Sequence, residues 1–93
     1  MTQQPNQTFV KLLELKHRIE FLRNSVDPDI LIGAIERELC EFTEFQCIFN
    51  KFNKGWEYYI RSNIPHSEFY VTKRYRLTKL DSLYTAITDL TRN

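Results

Sequence analysis

"FTEFQCIFNKF", residues 42–52, is the stretch on which the fold turns. Its aromatic and β-branched residues suit a strand, yet its apolar positions also continue a helical face through Phe49. Read as a strand over residues 45–52, it is the first of three. "NKG" (53–55) then makes a three-residue turn, with Gly55 where a positive φ is needed. "WEYYIRS" (56–62) is the second strand and "FYVTKRYRL" (69–77) the third. "NIPHSE" (63–68) between them is a loop, because Pro65 keeps Ile64 out of the helical region.

The flanks are helical. From Thr8 onward, Leu12, Leu15, Ile19, Leu22 and Val26 recur at helical spacing, widened by Phe9 and Leu13. Val10 and Phe21 lie on roughly the opposite side, which makes Phe21 a separate contact candidate, although isolated surface hydrophobes are ordinary. "SVDPDI" (25–30) breaks and restarts the helix: Asp27 caps, Pro28 suits the first helical position and Asp29 complements the positive helix end. Leu31, Ile32, Ile35, Leu39 and Phe42 form one face of the second helix, and Glu36, Glu38, Glu41 and Glu44 fall mostly on the other. The short connection predicts an antiparallel helical hairpin. Thr78 and Asp81 resemble a capping box before a last helix carrying Leu80, Leu83, Tyr84, Ile87 and Leu90. The expected fold is α+β in the order α-α-β-β-β-α, a helical hairpin, a three-stranded antiparallel meander and a C-terminal helix, with the helices on one sheet face. Residues 1–7 are expected to be a flexible N-terminus and residues 8–93 a single domain.

Strand parity extends the reading. A hairpin closed by residues 53–55 pairs Phe52 with Trp56, Phe49 with Tyr59 and Ile48 with Ile60. Burying the more apolar face of the third strand pairs Ile60 with Val71 and Trp56 with Tyr75. The inner face then holds Ile48, Ile60, Val71, Phe52, Trp56 and Tyr75, with Asn50, Tyr58 and Lys73 in the row between, where Lys73 must snorkel past Tyr58 to water or find an acceptor such as Asn50. The outer face holds Lys51, Arg61, Arg74 and Arg76 around Phe49, Tyr59 and Tyr70, and Glu57 stands between Lys51 and Arg74. Nothing in the chain remains to cover that face.

Composition bounds the function. The chain has 93 residues, 42% hydrophobic, 27% charged and 14% aromatic, with two glycines, which describes a folded domain rich in contact-forming rings. Net charge is +1, but residues 51–80 carry seven Lys/Arg against two Glu. Two cysteines, Cys40 and Cys47, are too few for a disulfide framework, match no zinc spacing and fit a reducing compartment. No signal peptide or membrane span is legible, so a cytoplasmic location is expected. His17 and His66 have no sequence partner for nucleophilic or metal chemistry, and no Gly-rich phosphate loop exists. No catalytic residue, cofactor or metal site is therefore expected. The expected function is a non-enzymatic interaction module that binds a protein partner or a second copy through Phe49, Tyr59, Arg61, Tyr70, Arg74 and Arg76. A nucleic-acid ligand on the same basic and aromatic face is the alternative.

Overall fold

Asp27 starts the second helix as its chemistry dictates: one carboxylate oxygen accepts from the backbone N–H of Asp29 at 2.9 Å and of Ile30 at 3.4 Å, with Pro28 at the first helical position. The computed structural model of the chain describes residues 7–63 and 69–92, with residues 62, 63 and 69–72 as backbone only. The elements are α1 (Gln7–Leu22), α2 (Pro28–Leu39), β1 (Thr43–Asn50), β2 (Gly55–Asn63), β3 (Phe69–Arg76) and α3 (Lys79–Leu90), in the expected order. The disputed stretch is a strand, beginning two residues earlier than expected and ending at Asn50. Residue 7, expected in the flexible N-terminus, already belongs to α1. The remaining residues of that segment, and most of the loop expected at 63–68, lie outside the described residues.

The helices cover one face of the sheet. α3 packs across β2 and β3, α2 reaches β1, and α1 lies chiefly on α3. Leu80, Leu83, Ala86, Ile87 and Leu90 of α3 are buried with Leu12, Leu15 and Ile19 of α1, and Leu31, Ile32, Ile35 and Leu39 of α2. Two antiparallel crossings follow from the polar contacts. Arg23 meets Asp81 at 2.5 Å and Glu20 accepts from the Tyr84 hydroxyl, while Arg18 pairs with Glu38 and Lys11 stands over the Phe42 ring at 5.4 Å. Thr78 caps α3 through the N–H of Asp81 at 3.1 Å, and the Asp81 carboxylate serves Arg23.

Strand order is β1-β2-β3, antiparallel throughout, but the register differs from the parity expectation at both junctions. Asn50 pairs with Gly55 and Phe49 with Trp56, so the hairpin loop is residues 51–54. The cause is local. The Asn50 side-chain oxygen accepts from the N–H of Phe52 at 3.0 Å and of Asn53 at 2.9 Å, ending the strand where parity had continued it. Phe52 is consequently 97% exposed and not part of an inner row. The positive φ belongs to Lys54 (φ 53°), not to Gly55. Gly55 is required for another reason. A Cβ there would stand 2.4 Å from the Tyr75 ring, which lies over it with its hydroxyl donating to the Asn53 carbonyl at 2.8 Å.

On the other side, Tyr58 pairs with Arg74 and Trp56 with Arg76, one residue off the expected register. A one-residue slip exchanges the faces of β3. Arg74 therefore points under the helices and Lys73 points away from them. The inner rows are Phe45 beside Ile60, then Cys47–Tyr58–Arg74, then Phe49–Trp56–Arg76.

Lys54 is in the left-handed region at a cost of about 1 kcal/mol to a residue with a Cβ. Lys54→Gly is expected to raise the thermal midpoint by roughly 5 °C, and Gly55→Ala, which must dislodge Tyr75, to lower it. Thermal unfolding followed by circular dichroism checks both signs.

Candidate functional site

Among the described residues, the helix-covered face holds one fully buried polar side chain of size. Tyr58 is 0% exposed and donates its hydroxyl to the Glu36 carboxylate at 2.6 Å. Sequence periodicity assigns Glu36 to the solvated side of α2. The structure turns it half-inward, where it also meets Lys79 Nζ at 4.0 Å. Lys79 in turn stands over the Trp56 ring at 5.3 Å. Burial, reinforced by the adjoining Glu36 carboxylate, pushes the Tyr58 phenol far above its ordinary range. Burial likewise raises the Cys47 thiol, against smaller lowering effects of Tyr58 and Lys79, so Cys47 has the environment of an inert thiol, not an activated one. Cys40 and Cys47 are both free. Among the described residues no group of three or more His, Cys, Asp or Glu is placed to hold a metal ion.

The opposite face of the sheet carries no element of the described chain. By register it presents Glu44, Gln46 and Ile48 from β1, Glu57, Tyr59 and Arg61 from β2, and Lys73 and Tyr75 from β3. Ile48 is 47% exposed and Tyr59 38%. Tyr59 is opposite Gln46 and Lys73, and Glu57 is opposite Ile48 and Tyr75, so Ile48, Tyr59 and Tyr75 surround Glu57. Each base has an acid nearby: Lys73 reaches Glu57 at 3.7 Å and Arg61 reaches Glu44 at 3.9 Å.

The six residues expected to act together are thus divided. Tyr59 and Arg61 stand on the open face. Phe49 is on the other side, its ring edge-on to Trp56 at 5.1 Å, and still 45% exposed because the helices end short of it. Arg74 lies under α3, paired to Asp89 at 2.7 Å while its carbonyl accepts from the buried Ser82 hydroxyl at 2.8 Å. Arg76 follows it on that side and donates to the Tyr75 carbonyl at 2.7 Å. The Tyr70 side chain and His66 lie outside the described residues. The expected partner of Arg74, Glu57, is taken by Lys73, and Lys51 is in the hairpin loop. Phe21, the separate candidate, is 72% exposed on α1. Ile48 and Tyr75 were missed because parity counted them inward. The Asn50 turn is a signal that places Ile48, whereas the outward side of Tyr75 follows from tertiary contacts that no local pattern shows.

A concavity of about 630 Å³ also opens where α1 ends and α2 and α3 begin. Trp56, Ile32, Leu77 and Leu80 line it beside the paired Arg23 and Asp81. Comparison of the chain with family models, with curated proteins and with solved structures gives no match.

Removing the Tyr58 hydroxyl deprives Glu36 of a charge-assisted hydrogen bond, so Tyr58→Phe is expected to cost about 1.5–3 kcal/mol in urea unfolding. It also removes a pH dependence. The folded-state pKa is raised above its ordinary value of 10.0, so the stabilisation is complete below about pH 10 and is lost as pH rises beyond it. The wild type is expected to lose stability more steeply than Tyr58→Phe above that pH.

Proposed function

We propose that this protein is a small non-enzymatic interaction module whose working surface is the uncovered face of the sheet, and that the occupant of that face is a second copy of the chain. The observation that carries this reading is the composition of the face: Ile48, Tyr59 and Tyr75 exposed or half-exposed together, flanked by two acids and two bases. An apolar centre inside balanced charge suits a protein surface, and aromatic rings are the usual anchors of one. Balanced charge also suits self-association. A two-fold axis crossing the strands at Tyr59 stacks that ring on its counterpart and lays Arg61 over Glu57 of the other copy. Lys73 meets its counterpart there with its charge already held by Glu57.

Size sets the strength. Three strands of about eight residues, spaced about 4.8 Å apart and rising about 3.3 Å per residue, present a footprint of roughly 380 Å². Stable interfaces bury about 800 Å² per partner. The dimer is therefore reversible and concentration-dependent. A nucleic-acid ligand on this face has less support, since Arg74 and Arg76 belong to the other side and Arg61 and Lys73 have acids beside them. Among the described residues no helix is long and apolar enough to cross a membrane. Two free thiols suit the reducing cytoplasm, where we place the protein.

Sedimentation over a wide concentration range tests the reading. The wild type is expected to pass from monomer to dimer, and Tyr59→Asp and Ile48→Asp to remain monomeric with unchanged circular dichroism. A wild type that stays monomeric throughout, or that shifts an oligonucleotide at low salt where Tyr59→Asp does not, contradicts it.

A further inference from the structure

The exchange of faces in β3 moves its arginines to a place that the open-face reading does not use. On the helix side of the sheet, β3 and the C-terminal half of α3 enclose a concavity of about 260 Å³. Arg74, Arg76 and Arg92 line it, with Asp89, Tyr84 and Thr85 among the other walls. Three guanidiniums against one carboxylate give the lining a formal charge of +2 among the described residues.

The three arginines differ in how they are held. Asp89 fixes Arg74 at 2.7 Å, and the Tyr75 carbonyl fixes Arg76 at 2.7 Å without neutralising it. Among the described residues neither Arg76 nor Arg92 comes within 4.0 Å of a carboxylate, whereas Arg18, Arg23, Arg61, Lys73 and Lys79 all do. Two hydroxyls on the wall are engaged elsewhere, Tyr84 donating to Glu20 and Thr85 to the Asp81 carbonyl, whereas the buried Thr88 hydroxyl on the same wall has no hydrogen-bond partner among the described residues. The donors left for a ligand are guanidinium N–H groups and the Thr88 hydroxyl. Guanidinium forks recognise oxyanions by paired hydrogen bonds, and two unneutralised forks match a ligand of charge −2. The rim position of Arg92, just beyond the end of α3, also suits the negative end of the helix dipole; a dipole contact alone predicts no ligand.

We propose that this concavity is a binding site for a dianionic phosphate group, a phosphate monoester or inorganic phosphate, held by Arg76 and Arg92 with Arg74 as the preoriented third donor. The site is on the opposite side of the sheet from the proposed dimer face, so either reading stands or falls without the other.

Titration of the full chain with inorganic phosphate at constant ionic strength, followed by the arginine Nε–H signals in nuclear magnetic resonance, tests the site. The expected result is a saturable shift that chloride does not reproduce. Arg76→Ala with Arg92→Ala is expected to weaken it by roughly tenfold or more, equivalent to one lost charge-assisted hydrogen bond. Binding should also weaken as pH falls through about 6, where a phosphate monoester loses its second charge. A monoester such as a nucleoside monophosphate should compete with phosphate if the natural ligand is an ester, and free phosphate should bind better if it is not. An unsaturable shift, an equal shift with chloride, or an unchanged affinity in the double variant overturns the proposal. So does a single-stranded oligonucleotide that binds while phosphate does not.

Discussion

The Tyr58 hydroxyl held by Glu36 is the contact on which the arrangement of this molecule depends. A phenol that is wholly buried must find an acceptor, because leaving it unpaired costs about 1–3 kcal/mol. Glu36 supplies one, which places the middle of β2 beneath α2, near the start of α3. Lys79 of α3 adds its charge to the same carboxylate and its ammonium to the Trp56 ring. One buried side chain therefore ties the sheet to two helices. It also fixes which face of β2 is inside, and the registers of β1 and β3 against β2 then decide which of their residues join that face.

Helices and caps were legible in the sequence because their determinants are local. Asp27, Pro28 and Thr78 act within three residues of themselves, and the stripes Leu12–Leu15–Ile19 and Leu31–Ile32–Ile35–Leu39 are buried as their spacing demands. The register was not legible by the same means. Parity favours the more apolar face, and in β3 that rule set Tyr75 inside and Arg74 outside. The structure does the reverse, because Arg74 is compensated by Asp89, fifteen residues away on α3, and Tyr75 is compensated by Gly55 and the Asn53 carbonyl. Such compensation is tertiary and invisible to periodicity. The Asx turn at Asn50 was visible, and read first it would have closed the hairpin correctly at that end.

The candidate site shows the same division. Residue types on the sheet were read correctly as aromatic and basic, but their assembly into one patch rested on the register. With the pairing as found, Tyr59 and Arg61 remain on an open face of balanced charge. Arg74 and Arg76 join Arg92 in a separate basic concavity beside α3. A single mixed surface becomes two surfaces of different chemistry on opposite sides of a sheet one residue thick. Both follow from the registers that β1 and β3 adopt beside β2.

The hairpin register is the most direct point at which to measure this account. Phe49 and Trp56 have ring centroids 5.1 Å apart, whereas Phe52 is almost fully exposed in the loop. Nuclear Overhauser spectra of the labelled protein should therefore show strong contacts between the Phe49 and Trp56 rings, with Cys47 opposite Tyr58 in the backbone pairing. Contacts that join Phe52 to Trp56 and Phe49 to Tyr59 instead would mean that the strands pair three residues away from the register described, with Tyr58 no longer facing Cys47 beneath the helices.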